Sequence, residues 1–232
     1  MALYTIADLH LPLGINKPMD IFGSNWSNYV ERIYENWNTY ICENDTVILP
    51  GDFSWATYLE QSYKDFDFLN KLPGIKILLK GNHDYWWSTI SKLNKFISDN
   101  NFKNIYFLHN NHYTYKDVAL CGTRGWMHPK WNNITAEDRK IFDREILRLK
   151  LSLDSAAQIK RKFVFLHYPP TSVNGESNEL TELMEQYGVE LCCYGHLHSH
   201  AHKNAINGVV RGIEYKLTAG DYIDFNPVKL LD

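Results

Sequence analysis

The chain has 232 residues, 44% of them hydrophobic and 14% aromatic, with a formal net charge of −3. That length and apolar content fit one domain, residues 1–232, with ample material for a core. The slight negative charge excludes a general attraction to nucleic acid or anionic membrane. No apolar run approaches the roughly 20 residues that span a bilayer.

Residues 3–7 read as a strand ending at Asp8, too short and too uncharged to be a secretion signal. Trp26, Val30, Ile33, Trp37 and Ile41 follow at helical spacing. Residues 46–49 form a second strand, closed by Pro50-Gly51. Leu59, Tyr63, Phe66 and Leu69 mark a second helix, broken by Pro73-Gly74. A third strand, 75–79, runs into Gly81-Asn82, and Trp86, Ile90, Leu93 and Ile97 mark a third helix. Strand-like runs follow at 105–108, 113–115 and 118–121.

Thr135, with an acid three residues on, predicts the cap of a fourth helix carrying Phe142, Ile146, Leu149 and Leu153. Lys160-Arg161-Lys162 reads as the solvated end of a helix. Residues 163–166 predict a strand ending at His167. Leu180, Leu183, Met184 and Tyr187 form a helical stripe stopped by Gly188. Residues 191–194 lead as a strand into Gly195-His196. Beyond it Asn207-Gly208 signals a hairpin, with strands expected at 209–210, 213–217 and 222–225. Alternation early favours parallel pairing and the strand-rich tail favours antiparallel pairing. The expected fold class is α/β, with two mixed β-sheets packed face to face.

Five motifs stand where the chain leaves these strands: Asp8-Leu9-His10, Gly51-Asp52, Gly81-Asn82-His83-Asp84, His167-Tyr168-Pro169-Pro170 and Gly195-His196-Leu197-His198. Ligand sites of open α/β sheets collect at such strand ends. Asp8 and His10 are two apart, on one side of an extended backbone. A carboxylate such as Asp52 can bridge two cations, and Asn82 adds a neutral oxygen. His167, His196 and His198 add nitrogens. The set supplies enough ligands for two metal ions sharing one carboxylate, which points to metal-assisted hydrolysis of a phosphate ester.

With these motifs, from Asp8 to His198, the chain resembles the calcineurin-like metallophosphoesterase superfamily. The resemblance implies the four-layer αββα sandwich. It implies one metal on Asp8, His10, Asp52 and His198, and a second on Asp52, Asn82, His167 and His196. It also implies His83 as the acid that protonates the leaving group, or as a donor to the phosphoryl oxygens. Two-metal chemistry then predicts attack by a metal-bridging hydroxide on a phosphomonoester or phosphodiester. The mixed nitrogen and oxygen set, without thiolate, suits manganese or iron, with zinc or cobalt as alternatives. Family protein phosphatases carry Asp-Arg-Gly after the Gly-Asp; here Phe53-Ser54-Trp55-Ala56 follows. The branch acting on a lipid A precursor has Arg where His83 stands. Both substrates are disfavoured, leaving a small phosphoester as the expected partner, with no membrane. Nuclease action and a non-catalytic metal-binding scaffold are the competing readings.

Around this set, Asp84 is expected either to orient His83 or to pin its loop. Arg124, just beyond a strand, can grip a phosphate in bidentate fashion or lie at a surface turn. Trp126, Met127, His128, Pro129 and Trp131 form an aromatic loop, either a substrate wall or a hydrophobic plug. His200 and His202 are expected on an exposed hairpin, and His109 and His112 at the surface. Cys42, Cys121, Cys192 and Cys193 contain no CxxC pair and read as buried free thiols, which places the chain in the cytoplasm.

Overall fold

The computed structural model of the chain describes residues 1–127 and 134–232. Among these, the strands form two mixed sheets. In the first, β1 (Leu3–Thr5), β2 (Thr46–Pro50), β3 (Ile75–Leu79) and β4 (Ile105–Phe107) run parallel and lie side by side in chain order. The last strand, β11 (Val228–Leu231), pairs antiparallel with β1. The second sheet has a parallel centre of β6 (Val118–Thr123), β7 (Arg161–Leu166), β8 (Val189–Tyr194) and β10 (Ile213–Leu217). Its edges are the antiparallel strands β5 (Tyr113–Tyr115) and β9 (Gly208–Val210).

The alternation of side chains along each strand sorts the core into three apolar layers. Ile48, Ile77, Leu79, Leu120, Phe163, Phe165, Leu191 and Cys193 meet between the sheets. On the outer face of the first sheet, Val47, Leu49 and Leu78 meet helices α1 (Tyr29–Tyr40), α2 (Tyr63–Lys71) and α3 (Ile90–Asp99). On the outer face of the second, Val164, Leu166, Cys192 and Tyr194 meet α4 (Ala136–Ser155) and α5 (Glu179–Gln186). The result is the expected α/β sandwich of two mixed sheets flanked by helices.

The helices bury what their spacing predicts. In α1, Tyr29, Ile33 and Trp37 repeat every four residues and are buried. Thr135 caps α4 by accepting the Asp138 N–H, while Asp138 accepts from the Thr135 backbone. Between β2 and α2, residues 59–62 form a 3₁₀ turn. No helix among the described residues is long and apolar enough to cross a membrane.

Several expectations change. Residues 222–225 form turns rather than a strand, and the chain instead closes the first sheet with β11. The hairpin turn of β9 and β10 lies at Arg211-Gly212, both with positive φ (51° and 83°), not at Asn207-Gly208. That pair of left-handed residues matches the twist of the flanking strands. Arg161 and Lys162 open β7 instead of ending a helix. Lys162 is buried, its ammonium donating to the Ile159 carbonyl. His200 and His202 sit in a 3₁₀ turn, 199–204, rather than a hairpin, and only His200 is exposed. Of the four free cysteines, Cys42 is exposed.

One buried acid ties the segment after β1 to the segment after β2. Asp65 on α2 accepts the Leu13 N–H at 2.8 Å and the Ser54 hydroxyl at 2.5 Å. Burial outweighs these bonds and raises its pKa from 3.8 to about 6. Because the folded value is raised, the folded state holds this proton more tightly than the unfolded chain. Asp65 therefore favours folding at low pH and loses that contribution as pH rises through 6. Relative to Asp65→Asn, the wild-type protein should lose roughly 1 kcal/mol of unfolding free energy between pH 5 and 7. Urea unfolding at the two pH values measures this, and a difference that does not change with pH would contradict it.

Candidate metal centre

Parallel strands of both sheets hand motif residues to the same edge of the sandwich. Asp8 follows β1, Asp52 follows β2, Asn82 follows β3, His167 follows β7, and His196 and His198 follow β8. The two sheets touch there through a parallel bridge between Ala7 and Ala219. Asp8, His10, Asp52 and His196 all have left-handed φ, at 59°, 45°, 52° and 72°. Such backbone is uncommon for residues with a Cβ and clusters where surroundings enforce it. Two glycines explain how the ligand loops approach so closely. A Cβ on Gly81 would lie 2.0 Å from Asp52 Oδ1, and one on Gly195 would lie 2.3 Å from Asp8 Oδ2.

The seven expected ligands converge. Asp8 and Asp52 share one design: one oxygen is held by backbone and the other is free. Asp8 Oδ2 accepts the His196 N–H at 2.9 Å, and Asp52 Oδ1 accepts the His83 N–H at 2.8 Å. Asp8 Oδ1 and Asp52 Oδ2 are buried and have no hydrogen-bond partner among the described residues. Asp8 Oδ1 lies 3.6 Å from His198 Nε2, which is 3.4 Å from His10 Nε2. Asp52 Oδ2 lies 3.7 Å from His10 Nε2 and 3.4 Å from His167 Nε2. Asn82 Oδ1 is 2.6 Å from His167 Nε2 and 2.9 Å from His196 Nδ1. Asp52 Oδ2 thus faces both His10 and His167.

Two groupings meet the geometry of a metal site: Asp8 with His10 and His198, and Asp8 with Asp52 and His167. The second brings Asp8 within 3.7 Å of His167, but at Nδ1. That nitrogen faces the Pro50 carbonyl at 3.1 Å, which leaves Nε2 as the free donor, on the Asp52 and Asn82 side. The residues fit divalent cations. Unpartnered buried carboxylate oxygens are costly, and two imidazole nitrogens facing each other need a proton or cation between them. Burial pushes both acids up, Asp52 further because Asp84 and Asp8 add negative charge beside it. Burial, then the neighbouring His198, pushes His196 down to about 3.

Two acids support the ligands. Asp84 has both oxygens occupied by N–H groups of the loops that carry Asp52 and Asn82. Oδ2 accepts from Asp52 and Gly81, and Oδ1 accepts from Phe53, Ser54 and the Trp86 indole. Of the two roles expected for it, Asp84 takes the loop-pinning one. Among the described residues no side-chain hydrogen bond runs from Asp84 to the His83 ring. Asp221, which the motif reading passed over, accepts from His198 Nδ1 at 2.7 Å and from the Ser199 N–H at 3.1 Å. It thereby turns His198 Nε2 toward the ligand cluster. Burial pulls His198 down, but Asp8 and Asp221 outweigh it and lift it to about 10. Gly220-Asp221 follows β10 as Gly51-Asp52 follows β2, so a signal was present. His202 also reaches Asp221, at 3.3 Å.

His83 borders the centre, with its ring centroid 5.7 Å from that of His10, and its Nδ1 has no hydrogen-bond partner among the described residues. Burial, then Lys17 and His198, push it down to about 4. Arg124 points elsewhere. Its backbone carbonyl accepts the His167 and Tyr168 N–H groups. Its guanidinium lies 3.6 Å from Glu145 and 4.5 Å from the Trp126 ring, lining a separate 290 Å³ cleft with Lys80 and Arg148. None of the seven ligands lines that cleft. Trp126 meets the Tyr168 ring at a tilt, 5.0 Å between centroids, and Tyr168 lies tilted over His196 at 4.1 Å, while residues 128–133 of the aromatic loop lie outside the described residues.

Comparison with known proteins accords with this geometry. The family model of the calcineurin-like phosphoesterases matches residues 1–200. No curated protein matches the sequence. Among solved structures, a protein of unknown function from Aquifex aeolicus is 18% identical, with a TM-score of 0.52 over 98% of this chain and 95% of its own. A phosphopantetheinyl hydrolase from Mycobacterium tuberculosis is 11% identical, with a TM-score of 0.57 over 99% and 95%. A protein from Thermus thermophilus is 13% identical, with a TM-score of 0.55 over 85% and 83%. These three likenesses concern the fold alone. The family match spans most of the sequence and includes every ligand motif, so the chain belongs to the calcineurin-like phosphoesterase family.

Proposed function

We propose that this protein is a binuclear metal-dependent phosphohydrolase acting on a small phosphomonoester or phosphodiester. The observation that carries this reading is the pair of free buried oxygens, Asp8 Oδ1 and Asp52 Oδ2, facing the ring nitrogens of the ligand histidines. Asp8, His10, Asp52 and His198 would hold one ion, and Asp52, Asn82, His167 and His196 the other. Manganese or iron suits these nitrogen and oxygen donors best, with zinc or cobalt next. Bound there, the two ions would supply Lewis acidity toward the phosphoryl oxygens and acidify the attacking water.

The chain's own residues do the rest. The His196 and His83 N–H groups fix the carboxylates so that their free oxygens face inward. Asp84 fixes the loops that carry Asp52, Asn82 and His83. His83 donates a proton to the departing oxygen or a hydrogen bond to a phosphoryl oxygen. A phosphate anion beside His83 opposes the effect of burial on its charge. The four free cysteines suit a reducing cytosol as the setting. The pocket that adjoins the centre presents one lysine among aromatic walls, which favours a small substrate over a nucleic-acid strand.

Metal-stripped protein reloaded with Mn²⁺ should hydrolyse a chromogenic phosphomonoester or phosphodiester. Two bound ions without turnover on a broad phosphoester panel would move the reading to the scaffold. Asp52→Asn removes the shared negative oxygen, so elemental analysis should find fewer than two ions per chain and activity should fall roughly a hundredfold or more. Full metal content in that variant would refute the bridging role. His83→Ala should keep both ions and slow hydrolysis of an unactivated ester by ~10²–10⁴-fold, with a smaller loss on a nitrophenyl ester. Equal losses on both esters would end the proton-donor assignment. Asp221→Asn should weaken metal affinity ~10–100-fold in chelator competition, through loss of the partner that orients His198. Unaltered affinity would make Asp221 a loop residue only.

A further inference from the structure

A 410 Å³ pocket opens directly onto the metal centre, with the His10, His83 and His198 rings among its lining residues. Its walls are aromatic. Trp55 is buried, its indole N–H donates to Met19 Sδ at 2.9 Å, and its ring stacks on His10 with 4.6 Å between centroids. Trp26 is buried and meets the His10 and His198 rings edge-on at 5.6 Å. Phe22 and Tyr85 line the same pocket yet stay 51% and 62% exposed. The Lys17 ammonium sits 3.1 Å from the centre of the Trp55 ring, and no ion pair engages it among the described residues. Two fixed indoles, two exposed rings and one cation without an ion-pair partner among the described residues, around a set of imidazoles, match a flat aromatic group carrying negative charge.

We propose that this pocket selects phosphoesters whose leaving group carries a flat aromatic ring, a nucleobase or another aryl group, held among Phe22, Trp26, Trp55 and Tyr85. The inference rests on the phosphoesterase reading, because His83 places the departing oxygen on the pocket side. Lys17 then neutralises charge on the substrate at the pocket wall.

The test compares 2-naphthylmethyl phosphate with isobutyl phosphate, both esters of unactivated primary alcohols, on the Mn²⁺-loaded full chain. Calorimetry with the matching phosphonates, which cannot be hydrolysed, gives a second readout independent of turnover. The aromatic ester should have a kcat/KM at least about tenfold higher, and its phosphonate should bind at least about tenfold tighter. In the Phe22→Ala/Tyr85→Ala double variant, whose replaced rings lie outside the core, both ratios should fall toward one. Equal binding of the two phosphonates to the wild-type protein would overturn the proposal, whether or not the esters are hydrolysed. No turnover of either ester, with the binding preference intact and lost in the double variant, would sink the hydrolase reading and uphold the aromatic pocket.

Discussion

The carboxylate of Asp84 is the interaction on which the centre depends. It is fully buried and accepts hydrogen bonds from five N–H donors across residues 52–54 and 81–86. A carboxylate with several backbone N–H partners is an electrostatic clamp, since each donor stabilises its charge. Here the clamp forces two loops into contact, with Asp52 Oδ1 against the space a Cβ of Gly81 would fill. The left-handed backbone of Asp52 is tolerable only because such bonds overdetermine it. Asp8 is held from the other sheet, through the His196 N–H. The two halves of the centre are thus cross-tied by side-chain carboxylates to backbone, rather than by the ligands alone.

The sandwich provides the rigid support. β1 to β4 lie in chain order, so each connecting helix packs on the same face of the first sheet, and the other face is left for the second sheet. Phe163, Phe165, Ile48 and Ile77 fill the interior between them, and the β1 and β10 extensions bridge at Ala7 and Ala219. Small residues at that bridge let the sheets approach where the ligands must meet. The ligands therefore hang from strand ends whose spacing is set by dense packing, which changes little with thermal motion.

Around this frame the site divides into parts with different chemistry. The centre is polar and buried: burial pushes His10, His167 and His196 down and Asp8 and Asp52 up, while Asp8 and Asp221 push His198 up, an environment that a cation relieves. One opening is an aromatic pocket; the other is a cleft lined by Lys80, Arg124 and Arg148, where both arginines pair with Glu145. His83 faces the aromatic side, and Arg124 faces the charged one. That separation is what the proposed seating of a leaving group among Trp26 and Trp55 rests on.

The seven candidate ligand residues, which the fold brings together, were legible in the sequence because each follows an apolar run whose period marks a strand, and a strand end is a local property. The same held for the helical faces of α1 and α4 and for the Thr135 cap, which depend on residues three or four apart. Asp221 escaped because its partner, His198, lies 23 positions away, and the turn around it was read as the approach to a strand. β11 escaped because four residues at the chain end carry little periodicity, and only pairing with β1 makes them a strand. The role of Asp84 was open in sequence, since the direction of its side chain is decided by donors some 30 residues upstream. The aromatic pocket was hidden for the same reason: Phe22, Trp26, Trp55 and Tyr85 come from three separate segments. Sequence by itself determined the strand ends, the candidate ligand types at them and the phosphoesterase family. Tertiary structure alone decided which acids support the ligands and which surfaces adjoin them, because those depend on distances between segments that no local pattern encodes.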